Sequence, residues 1–324
     1  MSIKISIIIP VYKVADYIGD CLESVVNQDY GQLEVVLVDD ASPDNSIDIA
    51  KGIIAASNRS DMFKIIRHEV NRGLSAARNS GIDVATGDFL YFLDSDDTLP
   101  DKEAIRALCN CIQDADIVIG NYRGVRSDSS YVSKYNQKCR LEDEALIQAF
   151  VRGDVPIMAW NKLIVRKYFD EGLRFKEGIL NEDELFSYQL LFKNPKIAMA
   201  GVVTYNYNIR PGSIMTTFNM NRLLSPIIVY EEVTKAYKAI HGNHRLILAN
   251  LDHFAFKRYV DIMRANADAG TKRQLYKRLC KAQRNTNGVG KMRYLYNCHI
   301  FFPATVGFML MQRIAKVYAK SRNL

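Results

Sequence analysis

Four short apolar runs, spaced by helical periodicity, constrain this chain more than any other feature. Residues 5–9 (ISIII), 33–38 (LEVVLV), 63–67 (FKIIR) and 89–93 (FLYFL) are rich in branched and aromatic side chains and hold no proline. Between them, residues 16–27, 46–57 and 74–85 repeat apolar side chains at helical spacing. Nearly continuous apolar strands separated by helices form a parallel sheet covered on both faces. An α/β fold with a mostly parallel central sheet is therefore expected. Ligands of such sheets bind at the carboxyl ends of the strands.

Those ends carry the chemistry. The first run stops at Pro10, Val11 and Tyr12, the second at Asp39, Asp40, Ala41 and Ser42. Asn71, Arg72 and Gly73 follow the third after a short connection. Asp94, Ser95, Asp96 and Asp97 follow the fourth directly. One sheet edge thus collects an aromatic ring, carboxylates, an arginine and an acidic turn. A nucleotide diphosphate needs the same set: a ring to stack its base, a carboxylate to accept the imide N–H, and a cation for the phosphates. Three carboxylates in four residues are unfavourable unless donors, water or a cation neutralise them. Asp97 reads as a turn residue and cap for a helix from Asp101. Asp94 and Asp96, two apart, can point the same way and suit a hard divalent cation, Mg²⁺ or Mn²⁺, bound together with phosphate oxygens.

At 324 residues the chain can bury a full core and carry an extension, and its 48% hydrophobic and 24% charged content is that of a globular protein. The start, MSIKISIIIPVY, reads as a first strand and not as a secretory signal. Six cysteines at 21, 109, 111, 139, 280 and 298 complete no zinc pattern, and reduced thiols in a cytoplasmic protein account for them. Cys109 and Cys111 fall in an expected helix. The net charge of +7 is uneven: residues 269–324 hold 12 Lys or Arg and no Asp or Glu. The first 268 residues therefore carry −5, the difference between +7 and +12. A basic tail on a mildly acidic body suits an anionic surface. No G-x-G-x-x-G follows a strand, which argues against a nicotinamide dehydrogenase, and no Gly-rich loop follows the first run, which argues against a nucleotidyltransferase.

The middle of the chain, about 117–207, is less regular. VPIMAWNKLIVRKYF holds Trp160, Asn161 and Lys162. Asn181, Glu182, Asp183 and Glu184 open a helix, where acidic residues also suit the dipole. IAMAGVVTYNYNIRPGSIMTT reads as two short strands and a loop in which Arg210 seeks an anion. Beyond about residue 219 the pattern is helical. The apolar stretch 300–311 is shorter than the roughly 20 residues that span a bilayer, and Pro303 breaks it. It reads as a core or oligomer helix, or as a helix lying in a membrane interface.

Four stretches in this order resemble the family 2 glycosyltransferases: SIIIPVYKVADYIGDCLESVVNQDY, EVVLVDDASPDNS, NRGLSAARNSGIDVATGDFLYFLDSDD and NEDELF. The resemblance covers roughly residues 3–215. It implies a GT-A nucleotide-binding fold over 1–218; the helical, basic region over 219–324, read from its own pattern, lies beyond the resemblance. It places Pro10 and Tyr12 at the nucleotide base and Asp40, with Asp39, on the base imide. It puts Arg72 near the donor, and Arg78 either there or as a structural clamp. Asp94 falls by the ribose or metal, Asp96 is the metal ligand for Mn²⁺ or Mg²⁺, and Asp183 is the catalytic base with Glu182 beside it. Trp160, Asn161 and Lys162 shape the sugar and acceptor pocket, and the Arg210 segment closes over the diphosphate. The implied reaction is inverting transfer from a nucleotide sugar, most simply a UDP-sugar, to a glycan or lipid-linked acceptor. The basic region would hold the enzyme peripherally at the inner face of the cytoplasmic membrane, with nucleic acid not the partner. The rival reading is a nucleotide- or membrane-binding protein with a non-catalytic core.

Overall fold

The computed structural model describes residues 3–126, 128–133, 135, 139–209, 220–239 and 244–286. The chain divides into two compact units, Met1–Thr217 with Ile240–Gly242, and Phe218–Ala239 with Asn243–Leu324.

The first unit opens with the expected alternation: β1 Ile5–Val11, α1 Ile18–Val26, β2 Leu33–Asp39, α2 Ser46–Ala56, β3 Phe63–Arg67, α3 Leu74–Val84 and β4 Phe89–Phe92. It continues with α4 Ala104–Cys109, β5 Ile117–Val125, β6 Ser130–Val132, β7 Cys139–Leu141, α5 Asp143–Arg152, β8 Lys162–Val165, α6 Arg166–Asp170, α7 Glu182–Phe192 and β9 Ile197–Asn208. Among the described residues these strands form one nine-stranded sheet in the order β3-β2-β1-β4-β8-β5-β9-β7, with β6 beside β5. β1, β2, β3, β4, β5 and β9 all run one way; β8, β6 and β7 run against them.

β1 and β2 are buried along their whole length, as two-faced burial demands of apolar strands. β3 is not; it is the sheet edge, and Ile65 is exposed. Pro10 lies inside β1, one residue beyond the expected end, in a central strand. It does so without loss. Leu93 N–H donates to Ile8 O and Asp40 N–H to Val11 O, so Pro10 turns its nitrogen towards β4, whose pairing has already ended at Ile8 and Phe92. α3 crosses β1 closely at Gly81, where a Cβ would stand 2.4 Å from Ile8 Cγ2.

Three expectations need correction. The two short strands expected near 197–207 are one strand, β9, whose pairing with β5 shifts register between Ile119 and Tyr122. The irregularity lets a single strand follow a bend. The helix after the acidic turn starts at Ala104 instead of Asp101, so Cys111 falls outside it. Asp97 caps no helix; α4 has Glu103 at its N-cap.

The second unit is helical: α8 Asn221–Ala236, α9 His244–Arg264 and α10 Ala269–Gln283. Tyr230 stacks on Phe254 at 5.7 Å, and Arg278 meets Glu231 with two bonds of 2.8 and 2.6 Å. Among the described residues no helix is long and apolar enough to cross a membrane. The stretch 300–311 lies outside the described residues.

Candidate active site

β1 and β2 end in register at Val11 and Asp39, and the acidic turn leaves β4 beside them. Tyr12 follows β1 and is 39% exposed, and the Lys13 ammonium sits 5.2 Å from its ring centroid. Pro10 is buried within β1. Asp39 is buried too; its Oδ1 accepts the Ser42 N–H at 2.8 Å and its Oδ2 meets the exposed Arg67 at 3.1 Å.

Asp40 is held by its own chain. Its Oδ1 accepts Arg72 N–H at 2.8 Å and meets His68 Nδ1 at 2.7 Å. Its Oδ2 accepts Gly73 N–H at 2.8 Å and Asn71 Nδ2 at 2.9 Å. A carboxylate offers about four acceptor positions, so these contacts saturate it. Gly73 has φ +90°, a backbone state that favours glycine. The result presents Arg72 with its side chain about half exposed, 3.4 Å from Glu177.

Arg78 joins the two halves of the site. It lies in α3, fully buried at 1% exposure. Its Nη2 donates to Asp94 at 2.8 Å, and its Nη1 donates to Asp183 at 2.9 Å and Glu182 at 3.1 Å. Phe175 stacks under the guanidinium at 5.1 Å and also packs on Phe92 and Phe186. Asn79 exchanges bonds with the Phe175 backbone in both directions. Two consecutive α3 residues thus dock the 175–183 segment, and Phe186 seats α7 so that its first turn faces Arg78. Asn181, the N-cap, takes the left-handed conformation with φ 66°, which asparagine tolerates. Burial, and then the charge of Asp183, raise the Glu182 carboxyl above its ordinary range, with Arg78 opposing. Burial lowers the Arg78 guanidinium, but Asp94, Asp183 and Glu182 outweigh it and leave the group firmly charged.

The acidic turn is braced from β9. Asp97 is buried; its Oδ2 accepts the Tyr205 hydroxyl at 2.6 Å and its Oδ1 accepts Asn208 N–H at 2.7 Å. Burial, then the charges of Asp94 and Asp96, push its carboxyl up to about 8. Asp96 is half-buried, and Asn208 Nδ2 donates to its carbonyl at 2.7 Å. Among the described residues no three His, Cys, Asp or Glu side chains form a metal cage. Asp94 and Asp96 offer two carboxylates, which is what Mg²⁺-like ions take from protein when phosphates complete the shell. The negative field that raises Asp97 is one a cation would relieve, so the donor set fits a divalent ion.

Trp160, Asn161 and Lys162 are all buried. Trp160 stacks on Tyr205 at 4.4 Å and Tyr207 at 5.4 Å. The Asn161 amide donates to Gly120 O and Asn121 O and accepts from Thr204 and Tyr91 hydroxyls. The Lys162 ammonium donates to Met158 O. Burial pushes Lys162 down to about 7, with Asp183 opposing and Arg78 adding. Arg210 lies outside the described residues. His68, Phe175, Tyr205 and Asn208 did not stand out in the sequence. Only His68 had a usable signal, its place immediately after a strand.

The description Glycosyl transferase family 2 matches residues 6–173. The putative glycosyltransferase EpsH of Bacillus subtilis is 33% identical over 237 residues, 70% of this chain and 67% of EpsH. The poly(ribitol-phosphate) beta-glucosyltransferase of Bacillus spizizenii is 31% identical over 219 residues, 64% of this chain but 32% of that protein. The crystal structure of S. aureus TarS 1–349 in complex with UDP superposes with a TM-score of 0.70 at 20% identity, covering 98% of this chain and 92% of TarS 1–349. The fold is therefore GT-A, and with half its length matched and the acidic and basic site residues gathered on one edge, this chain belongs to glycosyl transferase family 2.

Proposed function

We propose that the chain is an inverting, metal-assisted transferase. It moves a hexosyl or N-acetylhexosaminyl group from a UDP-sugar to a hydroxyl of a glycan or lipid-linked acceptor in cell-surface polysaccharide synthesis. The observation that carries this reading is the span of Arg78, which ties Asp94 of the acidic turn to Asp183 and Glu182 of α7. A carboxylate beside the diphosphate and a candidate base are thereby held on one guanidinium. The UDP bound by TarS and the polymer in the name of the B. spizizenii enzyme support the donor and the setting.

On this reading the catalytic part is 1–218 and the helical region 219–324 is appended. Tyr12, with Pro10, stacks the base. Asp39 accepts the imide, because Asp40 is saturated by residues 68–73. Arg72 faces the phosphates. Trp160, Asn161, Lys162 and Glu182 shape the sugar and acceptor pocket. A Mn²⁺ or Mg²⁺ ion held by Asp94 and Asp96 would stabilise charge on the leaving diphosphate. Asp183, whose side chain is more exposed than that of Glu182, takes the proton of the acceptor hydroxyl. The hydroxyl oxygen bonds to the anomeric carbon from the face opposite the diphosphate, the bond from that carbon to the diphosphate oxygen breaks with its electron pair on that oxygen, and the centre inverts.

α10 supports contact with an anionic membrane surface. Arg273, Lys277 and Lys281 are exposed at successive i, i+4 positions, and residues 269–283 contain no acidic side chain. The setting is then the inner face of the cytoplasmic membrane, with sedimentation on anionic against neutral vesicles as its test.

The deciding experiment for the activity is a nucleotide-sugar screen by thermal shift, followed by turnover of the donor that binds. Asp183→Asn should keep donor binding and lower turnover roughly 10²-fold or more. Donor binding with no turnover on any hydroxyl acceptor or water would favour the non-catalytic reading, and wild-type turnover in the variant would move the base elsewhere, to Glu182 first.

A further inference from the structure

We infer that His68 is a positioning residue for the nucleotide donor, acting through Asp40 on the loop that carries Arg72. This rests on the transferase reading above but concerns His68, to which that reading gives no role.

The imidazole is 8% exposed and bridged on both nitrogens. Nδ1 lies 2.7 Å from Asp40 Oδ1, and Nε2 lies 2.8 Å from the Ser80 hydroxyl. One tautomer satisfies both: Nδ1–H donates to Asp40, and Nε2 accepts from Ser80, which is fixed on α3. The His68 backbone N–H also donates to Asp39 O at 2.8 Å, so the ring hangs from the end of β2. The imidazole therefore sets the plane of the Asp40 carboxylate from two fixed elements.

That plane decides where residues 71–73 go. The same Oδ1 that meets His68 accepts Arg72 N–H, and Oδ2 accepts Gly73 N–H and Asn71 Nδ2. If the carboxylate turns, all three donors must move or go unbonded. Gly73 at φ +90° sharpens the turn, and α3 begins at the next residue. Among the described residues, only Glu177 holds the Arg72 guanidinium, through contacts of 3.4 Å to its two oxygens. Its direction is set chiefly by its backbone, hence by Asp40 and His68. Asp, His and Ser in this order also form hydrolytic triads. Here the remaining positions of the carboxylate hold the loop, so the chain of bonds orients Arg72 and not the serine.

The test is a double-mutant cycle on UDP affinity, measured with Mn²⁺ by calorimetry on the full chain. His68→Ala should weaken UDP about tenfold, the scale of a lost hydrogen bond to a charged group. It should raise the donor KM by a similar factor while kcat at saturating donor changes less than about threefold. His68→Asn, whose amide nitrogen can take the place of Nδ1, should restore most of the affinity; His68→Gln, which reaches towards Ser80 instead, should not. In an Arg72→Ala background His68→Ala should add no further loss. The fluorescence of Trp160 reports whether each variant folds, and the asparagine and glutamine variants carry the test if alanine does not. Additive losses, an effect on kcat greater than on KM, or equal behaviour of the asparagine and glutamine variants would overturn the inference. If wild-type protein binds no nucleotide sugar, the transferase reading itself falls; if it binds UDP and the cycle is additive, only the role of His68 falls.

Discussion

Replacing Arg78 with methionine removes the only cation bonded to Asp94, Glu182 and Asp183 among the described residues. Methionine fills much of the same volume and keeps a sulfur contact for the Phe175 ring, so the change is mainly one of charge. Three bonds of 2.8 to 3.1 Å from a buried guanidinium are lost together. Deleting one partner of a buried ion pair costs about 3–5 kcal/mol, because the opposite charge stays behind. The carboxylates are 13 to 24% exposed on their side chains, and the water they reach puts the cost near the low end, about 3 kcal/mol. For a unit of this size that corresponds to a fall of roughly 6–12 °C in Tm. Arg78→Lys keeps the charge but not the fork, and should cost about half as much. Trp160 is the only tryptophan, and its stack on Tyr205 and Tyr207 makes urea unfolding of the first unit readable by fluorescence. The pH dependence identifies the cause. Burial and the charge of Asp183 already raise the Glu182 carboxyl against the pull of Arg78; without Arg78 that opposition is gone, so protonation of Glu182 favours folding of the variant. The deficit of the methionine variant should shrink as pH falls from 8 to about 5. A loss under about 1 kcal/mol, or a loss of constant size across that pH range, would refute the charge-compensation argument.

Glu34 should make the fold acid-sensitive late. Burial would raise its carboxyl, but Lys64 and hydrogen bonds from Ser6 and Thr86 outweigh it and hold the group at about 2, against an ordinary 4.5. Its contribution, on the order of 3 kcal/mol, is complete above about 4.5 and lost as pH falls through about 2; Glu34→Gln should remove that dependence in acid titrations followed by circular dichroism. Gly81→Ala should cost about 1–3 kcal/mol in urea unfolding, since the new Cβ meets Ile8 Cγ2 at 2.4 Å. Unchanged stability there would mean that β1 and α3 separate easily. UDP at 100 times its Kd should stabilise the wild type by about 2.7 kcal/mol, and Asp96→Ala should abolish the Mn²⁺-dependent part of that shift while the unliganded protein melts normally. An undiminished Mn²⁺ effect would remove Asp96 as the main metal ligand.

Local pattern was enough for the first four strands, the helices between them and the edge on which the site sits. Apolar continuity and helical spacing are properties of neighbouring residues, and strand ends in a parallel sheet collect on one side. The acidic turn after β4 and the carboxylates opening α7 were visible for the same reason. Which of these groups meet was not visible. Arg78 finds Asp183 across 105 positions, and Asp97 finds Tyr205 across 108. Those pairings depend on α3 crossing β1 at Gly81 and on β8 entering antiparallel beside β4. No periodicity encodes such choices, because they follow from the order in which distant strands pair. The same holds for Asp40. Its place at the end of β2, and the family resemblance, mark it in the sequence as a ligand for the base. Only the folded loop, bringing His68, Asn71, Arg72 and Gly73 onto its two oxygens, turns it into the anchor of that loop.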